Sequence, residues 1–269
     1  MKLIKTIVFS NLWIALCAGW LAFAVSYSLS VSSAELYGLA VGFSTIAVYN
    51  LHRLLRMPEL SKSTTIRHKW LVNFSKIQWI VFVLGSLLSL FLFLQVINNL
   101  LTLVLIGMVI IISGLYAYKS TFFKRPLREL PYLKMYFIAI SWTIMVLIIP
   151  LFLSTSFSKG LFLFVGVFTY FLAIIIPFDI RDLPYDQPHQ KTLPQLIGVT
   201  KSKWAALLLL IISYISLGVV YGLHNVWLVI AMLYQGGLII GINQKRKELY
   251  FAGLIDGGIF LFGLFWLMS

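Results

Sequence analysis

The chain has 269 residues, 61% of them hydrophobic, with a mean hydropathy of +0.97 and a formal charge of +13. That composition excludes an ordinary soluble domain, and the lone Cys17 excludes intramolecular disulfides and a cysteine-based metal site. Only 11% of residues are charged, and they cluster between apolar runs long enough to cross a hydrocarbon core about 30 Å thick.

The first apolar run, 7–27, follows Lys2 and Lys5 and so has the flanks of a secretory signal. It is longer than a signal core, a second run follows at once, and Leu16 before Cys17 does not suit a lipoprotein cleavage site. The sequence therefore predicts a retained helix. Further runs follow at 36–54, 77–97, 99–118, 134–153, 160–178, 203–222, 226–243 and 250–267. Each is about as long as a spanning helix, and lipid offers no partners for backbone groups, so each is expected to be helical. The expected fold is all-α: one multi-pass membrane domain over 1–269 with about nine transmembrane helices.

Nine crossings put the termini on opposite sides, and positive charge decides which is which. With a cytoplasmic N-terminus and an outside C-terminus, the inside segments hold twenty of the twenty-one Lys and Arg residues, and only Lys159 lies outside. The net charge is thus mainly a topology signal. Nucleic-acid binding would need a basic soluble module, and the sequence leaves no room for one. Outside connections such as Asn98–Asn99 and His224–Asn225 are minimal, whereas the inside ones after the second, fourth and sixth runs are long. Function is therefore expected on the cytoplasmic face. The two longest loops lie about 125 positions apart, a spacing that hints at duplication of a four-helix unit.

The loop after the sixth run, from Phe178 to Pro194, holds three of the eight acidic residues within eight positions. On a helix continuing past the membrane, Asp179, Asp182 and Asp186 would share one face, although Pro184 complicates a regular helix there. Converging carboxylates without His or Cys suit a hard cation such as Mg²⁺, which is usually held by one or two carboxylates plus substrate phosphates. The same residues would also serve a solvated loop beside Arg181 and Lys191.

Asp179-x-x-Asp182-x-x-x-Asp186 followed by Lys191-Thr192-Leu193-Pro194-x-x-x-Gly198 resembles the second aspartate-rich motif of the UbiA superfamily of intramembrane prenyltransferases, which includes the 4-hydroxybenzoate polyprenyltransferase-like proteins. The resemblance extends to Tyr116-x-Tyr118 through Lys124-Arg125 to Lys134, and to Glu248-x-Tyr250 through Asp256-Gly257. It implies helices around a central cavity open to the cytoplasmic side, and Mg²⁺ held on the diphosphate of an isoprenoid donor by two aspartate motifs. The prenyl group would pass to an aromatic or other lipophilic acceptor. On that basis Asp179, Asp182 and Asp186 are the expected metal-binding and catalytic carboxylates. Asn50, Arg53, Arg56, Lys124, Arg125, Arg181 and Lys191 are the expected diphosphate contacts.

The first motif departs from the family's. This chain reads Asn50-Leu51-His52-Arg53-Leu54-Leu55-Arg56, keeping the Asn but carrying no aspartate, and the nearest carboxylate is Glu59. Arg53 and Arg56 suit charge-assisted contacts to phosphate oxygens, and equally suit a basic helix end. Lys134 reads as a diphosphate contact or simply as the start of a span. Asp256, inside the last run, is expected to pair with an interior polar group such as Asn11 or Asn50. His52 reads as a base, a phosphate contact or a satisfied interfacial side chain. Three functions are compatible with these residues: a prenyltransferase, a non-catalytic relative binding an isoprenoid lipid or membrane partner, and a transporter.

Overall fold

The computed structural model describes residues 2–57, 66–118, 126–154, 159–243 and 246–269, with the backbone alone for residues 2–3 and 66–68. Among the described residues the chain is helical, without strands. Helices α1 (Lys2–Phe9), α2 (Leu12–Ser28) and α3 (Ala34–Leu55) are followed by α4 (Ile66–Asn73), α5 (Ser75–Val96) and α6 (Leu100–Ala117). Then come α7 (Lys134–Leu153), α8 (Gly160–Asp182), α9 (Leu193–Tyr221), α10 (Val226–Ile240) and α11 (Tyr250–Leu267).

By length and composition six of these can cross a membrane: α5, α6, α7, α8, α9 and α11. Helices α2 and α10 are apolar but shorter. Helix α3 has 22 residues and carries Glu35 in its first turn and His52 and Arg53 in its last.

The strongest contacts run in the order α5, α3, α2, α11, α10, α9, α8, α7 and α6, with a weaker α6–α3 contact closing the circle. Two thirds of the apolar window of α8 is buried within the protein, whereas α5 and α6 bury only 22% and 17% and so present most of their surface to lipid.

Small residues let α2 and α3 cross closely, as expected where van der Waals packing rather than hydrophobicity draws helices together in lipid. A Cβ on Gly19 of α2 would lie 2.8 Å from the Gly38 carbonyl oxygen, and one on Gly38 of α3 would lie 2.9 Å from the Gly19 oxygen. Helix α5 joins α3 through Gly85 and through the Ser89 hydroxyl, which donates to the Ala40 carbonyl at 3.1 Å.

Two helices are locally unwound by one residue. Ile144–Ile148 in α7 and Tyr250–Ile255 in α11 are π-helical turns, a form that recurs at functional sites. Side chains from neighbouring helices reach both. The Tyr37 hydroxyl donates to the Met145 carbonyl. The Trp13 indole donates to Gly253 at 2.9 Å, and the Tyr234 hydroxyl donates to Leu254 at 3.2 Å.

Helix α9 begins ten residues before the apolar run that announced it. Thr192 precedes its first turn with Pro194 just inside, the Thr192 amide donates to Gln195 Oε1 at 3.0 Å, and Gly198 (φ 79°) interrupts the helical backbone. In this structure the Thr-Leu-Pro of the sequence motif starts a helix.

Candidate functional site

At one end of the ring lies a cavity of about 130 Å³, comparable with an engineered apolar cavity of about 150 Å³ that holds benzene. Its walls are apolar and aromatic, with Ile14, Trp142, Phe171, Ile175, Phe178 and Ile259 among them. Trp142 and Phe171 lie against each other with centroids 5.0 Å apart. The polar residues that line it are Asn11, Tyr49, Arg53, Arg181 and Asp256.

Asn11 sits just before α2, Tyr49 and Arg53 in the last turns of α3, Arg181 near the end of α8 and Asp256 early in α11, at the end of the bundle that also bears the long connections after α3, α6 and α8. It is the end to which the sequence assigns nearly all of the positive charge. Asp256 follows directly on the π-helical turn of α11, so the extra residue in that turn sets the direction in which the carboxylate leaves its helix. Asn11 and Asp256 both line this cavity. The Asn50 amide nitrogen donates to Ile46 at 2.8 Å and to Ser10 at 3.4 Å, tying α3 to the start of α2.

The three aspartates are close in sequence but divided among different partners. Helix α8 ends at Asp182, and Asp186 follows in a turn closed by its own amide donating to the Asp182 carbonyl at 2.9 Å. Asp179 is buried, with Oδ1 at 2.8 Å from Lys134 Nζ, and the same ammonium lies 3.3 Å from Asp186 Oδ2. Asp182 instead takes both arms of Arg181, whose Nε and Nη2 reach its two oxygens at 2.7 and 3.1 Å. Arg181 Nη1 donates to Glu248 at 3.1 Å, and the guanidinium lies over the Phe178 ring at 5.0 Å. Burial pushes the Asp186 carboxyl above its ordinary range, against the pull of Lys134 and Arg56.

Gln195 pins the loop that carries Asp186: its amide nitrogen donates to the carbonyls of Asp186 and Gln187 at 3.3 and 3.2 Å. Tyr132 anchors the same loop from the segment before α7, through its amide and the Gln190 carbonyl at 3.2 Å.

The expected diphosphate contacts separate. Arg53 and Arg181 line the cavity, and Arg56 caps α3 at the same end. Lys191 is exposed, with its ammonium 5.5 Å from the centroid of Tyr132, and is not among the cavity-lining residues. Lys124 and Arg125 lie outside the described residues, as does Glu59. His52 is held by its Nε2 and the Ser113 carbonyl at 2.8 Å, the satisfied interfacial arrangement.

Lys134 and Glu248 are the participants whose weight the sequence understated. A cation at the first residue of a span was the available signal, but which carboxylates it meets depends on how α7 packs on α8.

Resident Mg²⁺ does not fit these residues. An octahedral ion needs oxygens at about 2.0–2.1 Å. The Asp179 and Asp186 oxygens already enclose an ammonium, and both Asp182 oxygens face a guanidinium. Among the described residues no group of three or more His, Cys, Asp or Glu side chains is placed to hold a metal.

The fold is that of the UbiA intramembrane proteins. A UbiA homolog from Aeropyrum pernix K1 in its apo form superposes with a TM-score of 0.65 at 15% identity, covering 94% of each chain. A UbiA homolog from Archaeoglobus fulgidus bound to GPP and Mg²⁺ gives 0.65 at 13% identity, covering 97% of this chain and 100% of that one. A structure of digeranylgeranylglyceryl phosphate synthase gives 0.56 at 16% identity over 100% and 99%. No protein-family model matches the sequence, and no curated protein matches it.

Proposed function

We propose that the chain is a UbiA-superfamily intramembrane prenyltransferase, moving an isoprenoid group from a prenyl diphosphate to an aromatic or other lipophilic acceptor. The cavity carries the reading: two arginines stand among aromatic and aliphatic walls, a chemistry complementary to an anionic head on an apolar tail. The fold shared with the Archaeoglobus fulgidus homolog bound to GPP and Mg²⁺ supports it. We read α2, α3 and α10 as spans too, giving nine crossings, a cytoplasmic N-terminus and a cavity open to the cytoplasm, in line with the positive charge.

The allylic C1–O bond would break with its electron pair leaving on the diphosphate. Arg53 and Arg56 would meet that charge, a preorganised electrostatic stabilisation in a water-poor site. The faces of Trp142, Phe171 and Phe178 suit the developing allyl cation, since aromatic faces attract cations. The acceptor's nucleophilic atom would then bond C1 and release a proton.

The engagement of all three aspartates by Lys134 and Arg181 favours a second reading, a protein that binds an isoprenoid diphosphate without turning it over. Radiolabelled geranyl diphosphate binding to detergent-purified protein, followed by assay of inorganic diphosphate, separates the two. The enzyme releases diphosphate with time when incubated with a panel of phenolic and lipid acceptors, and the non-catalytic relative retains it intact. Arg53→Ala should weaken binding about tenfold or more, since a hydrogen bond to a charged group contributes about 1.5–3 kcal/mol. Wild-type protein that ignores prenyl diphosphates would refute both.

A further inference from the structure

Two features expected to leave room for a divalent cation are filled by the chain itself. The segment where the resemblance implies the first carboxylate set carries Arg53 and Arg56. The second set closes on Lys134, whose Nζ lies 2.8 Å from Asp179 Oδ1 and 3.3 Å from Asp186 Oδ2, while Arg181 forks onto Asp182. The ammonium occupies the wedge between the Asp179 and Asp186 oxygens from which a bridging ion would have to reach both. All three side chains of that bridge are largely enclosed, with exposures of 13%, 2% and 12% for Lys134, Asp179 and Asp186. A divalent ion entering here would have to displace an ammonium already seated between the two carboxylates, in a setting that screens poorly.

We propose that the Lys134 ammonium takes the place of the divalent cation between Asp179 and Asp186, so that this chain takes up no resident Mg²⁺ and meets an anionic ligand with its own cations. The proposal deepens the prenyl-diphosphate reading, yet its first half stands on the lysine bridge alone. Lys134 is a positioning residue in this scheme. It holds Asp179 at the end of α8 and Asp186 in the following turn, and joins both to the start of α7. An ammonium supplies three donors of fixed charge, whereas a metal would supply exchangeable sites for phosphate oxygens. The ligand's negative charge is then met by Arg53 on α3 and Arg56 at its C-terminal cap.

Mn²⁺, which takes the same oxygen ligands as Mg²⁺ and is visible by electron paramagnetic resonance, tests the bridge directly. Detergent-purified full-length wild type should leave the signal of the free aqueous ion undiminished, as should Lys134→Arg, which keeps the cation. Lys134→Gln and Lys134→Met free the Asp179 and Asp186 oxygens, and at least one of them should bind about one Mn²⁺ per chain. Stoichiometric Mn²⁺ on the wild type overturns the proposal whatever the variants do. So does the failure of both Lys134→Gln and Lys134→Met, each shown by its thermal transition to be folded, to gain any Mn²⁺.

A second arm uses geranyl diphosphate. Wild-type affinity should agree within about twofold between EDTA and millimolar Mg²⁺, and a loss of tenfold or more in EDTA overturns the metal-free site. Wild type that binds no geranyl diphosphate in either buffer removes the prenyl-diphosphate reading and the ligand half of this proposal with it. The Mn²⁺ titration then decides the placement of Lys134 independently.

Discussion

Replacing Gly38 by Ala at the α2–α3 crossing isolates the close approach that sets α3, and with it Asn50, Arg53 and Arg56. The added methyl would lie 2.6 Å from Phe23 Cβ, 2.9 Å from the Gly19 oxygen and 3.1 Å from Phe23 Cα. Ordinary contact begins near 3.4 Å, and two of those three atoms are backbone, so relief requires the helices to part by several tenths of an ångström. Overpacking of this kind costs about 1–3 kcal/mol. Alanine also returns about 1 kcal/mol of helix propensity over glycine, which blurs a single measurement. Gly107→Ala supplies the reference. Gly107 lies in α6 with nothing within 4 Å of its added Cβ, so it gains the propensity without the clash. The difference between the two variants is then the clash itself, about 1–3 kcal/mol, or several degrees in the thermal midpoint of detergent-purified protein. Equal midpoints for the two alanine variants would refute the packing argument. A lower midpoint for Gly107→Ala would refute it more strongly.

Further outcomes follow from the site and the topology. Gln195→Ala removes the donor to the Asp186 and Gln187 carbonyls and the acceptor for the Thr192 amide, and should cost about 0.5–2 kcal/mol while speeding hydrogen exchange over 186–192. Unchanged exchange there would show that the loop is held by other contacts. Trp142→Ala opens the wall packed against Phe171, so affinity should shift from dimethylallyl toward geranyl diphosphate in competition binding; an unchanged ratio removes Trp142 as a determinant of chain length. In a Cys17→Ser background, Lys201→Cys should react with a membrane-impermeant maleimide from the cytoplasmic face and Lys159→Cys from the opposite one. Labelling of both from the same side contradicts the proposed orientation.

The bundle was legible because lipid makes the rule for its helices simple: an apolar run of sufficient length must satisfy its own backbone. Runs such as 134–153 and 250–267 coincide with the helices that form. What escaped the sequence is tertiary. Helix α9 starts at Leu193, well before its apolar run, because Gln195 binds back to the preceding loop and Pro194 suits a first turn. The extra residues of the π-helical turns leave no periodic trace in segments that are apolar all round. The acidic triplet was plain in the sequence, yet its reading as one face of a helix omitted the end of α8 at Asp182. It also could not reveal that a lysine 45 positions before Asp179 bridges two of the three carboxylates.

A π-helical turn is an α-helix with one residue to spare, and this makes α7 and α11 tolerant of length change at one place each. Deleting a residue from Tyr250–Ile255 would let the turn relax to ordinary α-helix while the segments before and after it kept their own neighbours. Deleting one after the turn would rotate everything beyond by about 100° against α2 and α10. The Trp13 and Tyr234 donors act as a latch on that spare residue, holding the π-helical form in which Asp256 reaches the cavity. The direction of a single carboxylate is thereby written partly in an indole and a phenol on two other helices. A change at Trp13 or Tyr234, neither of them charged, can re-aim a charged group through the backbone of its helix.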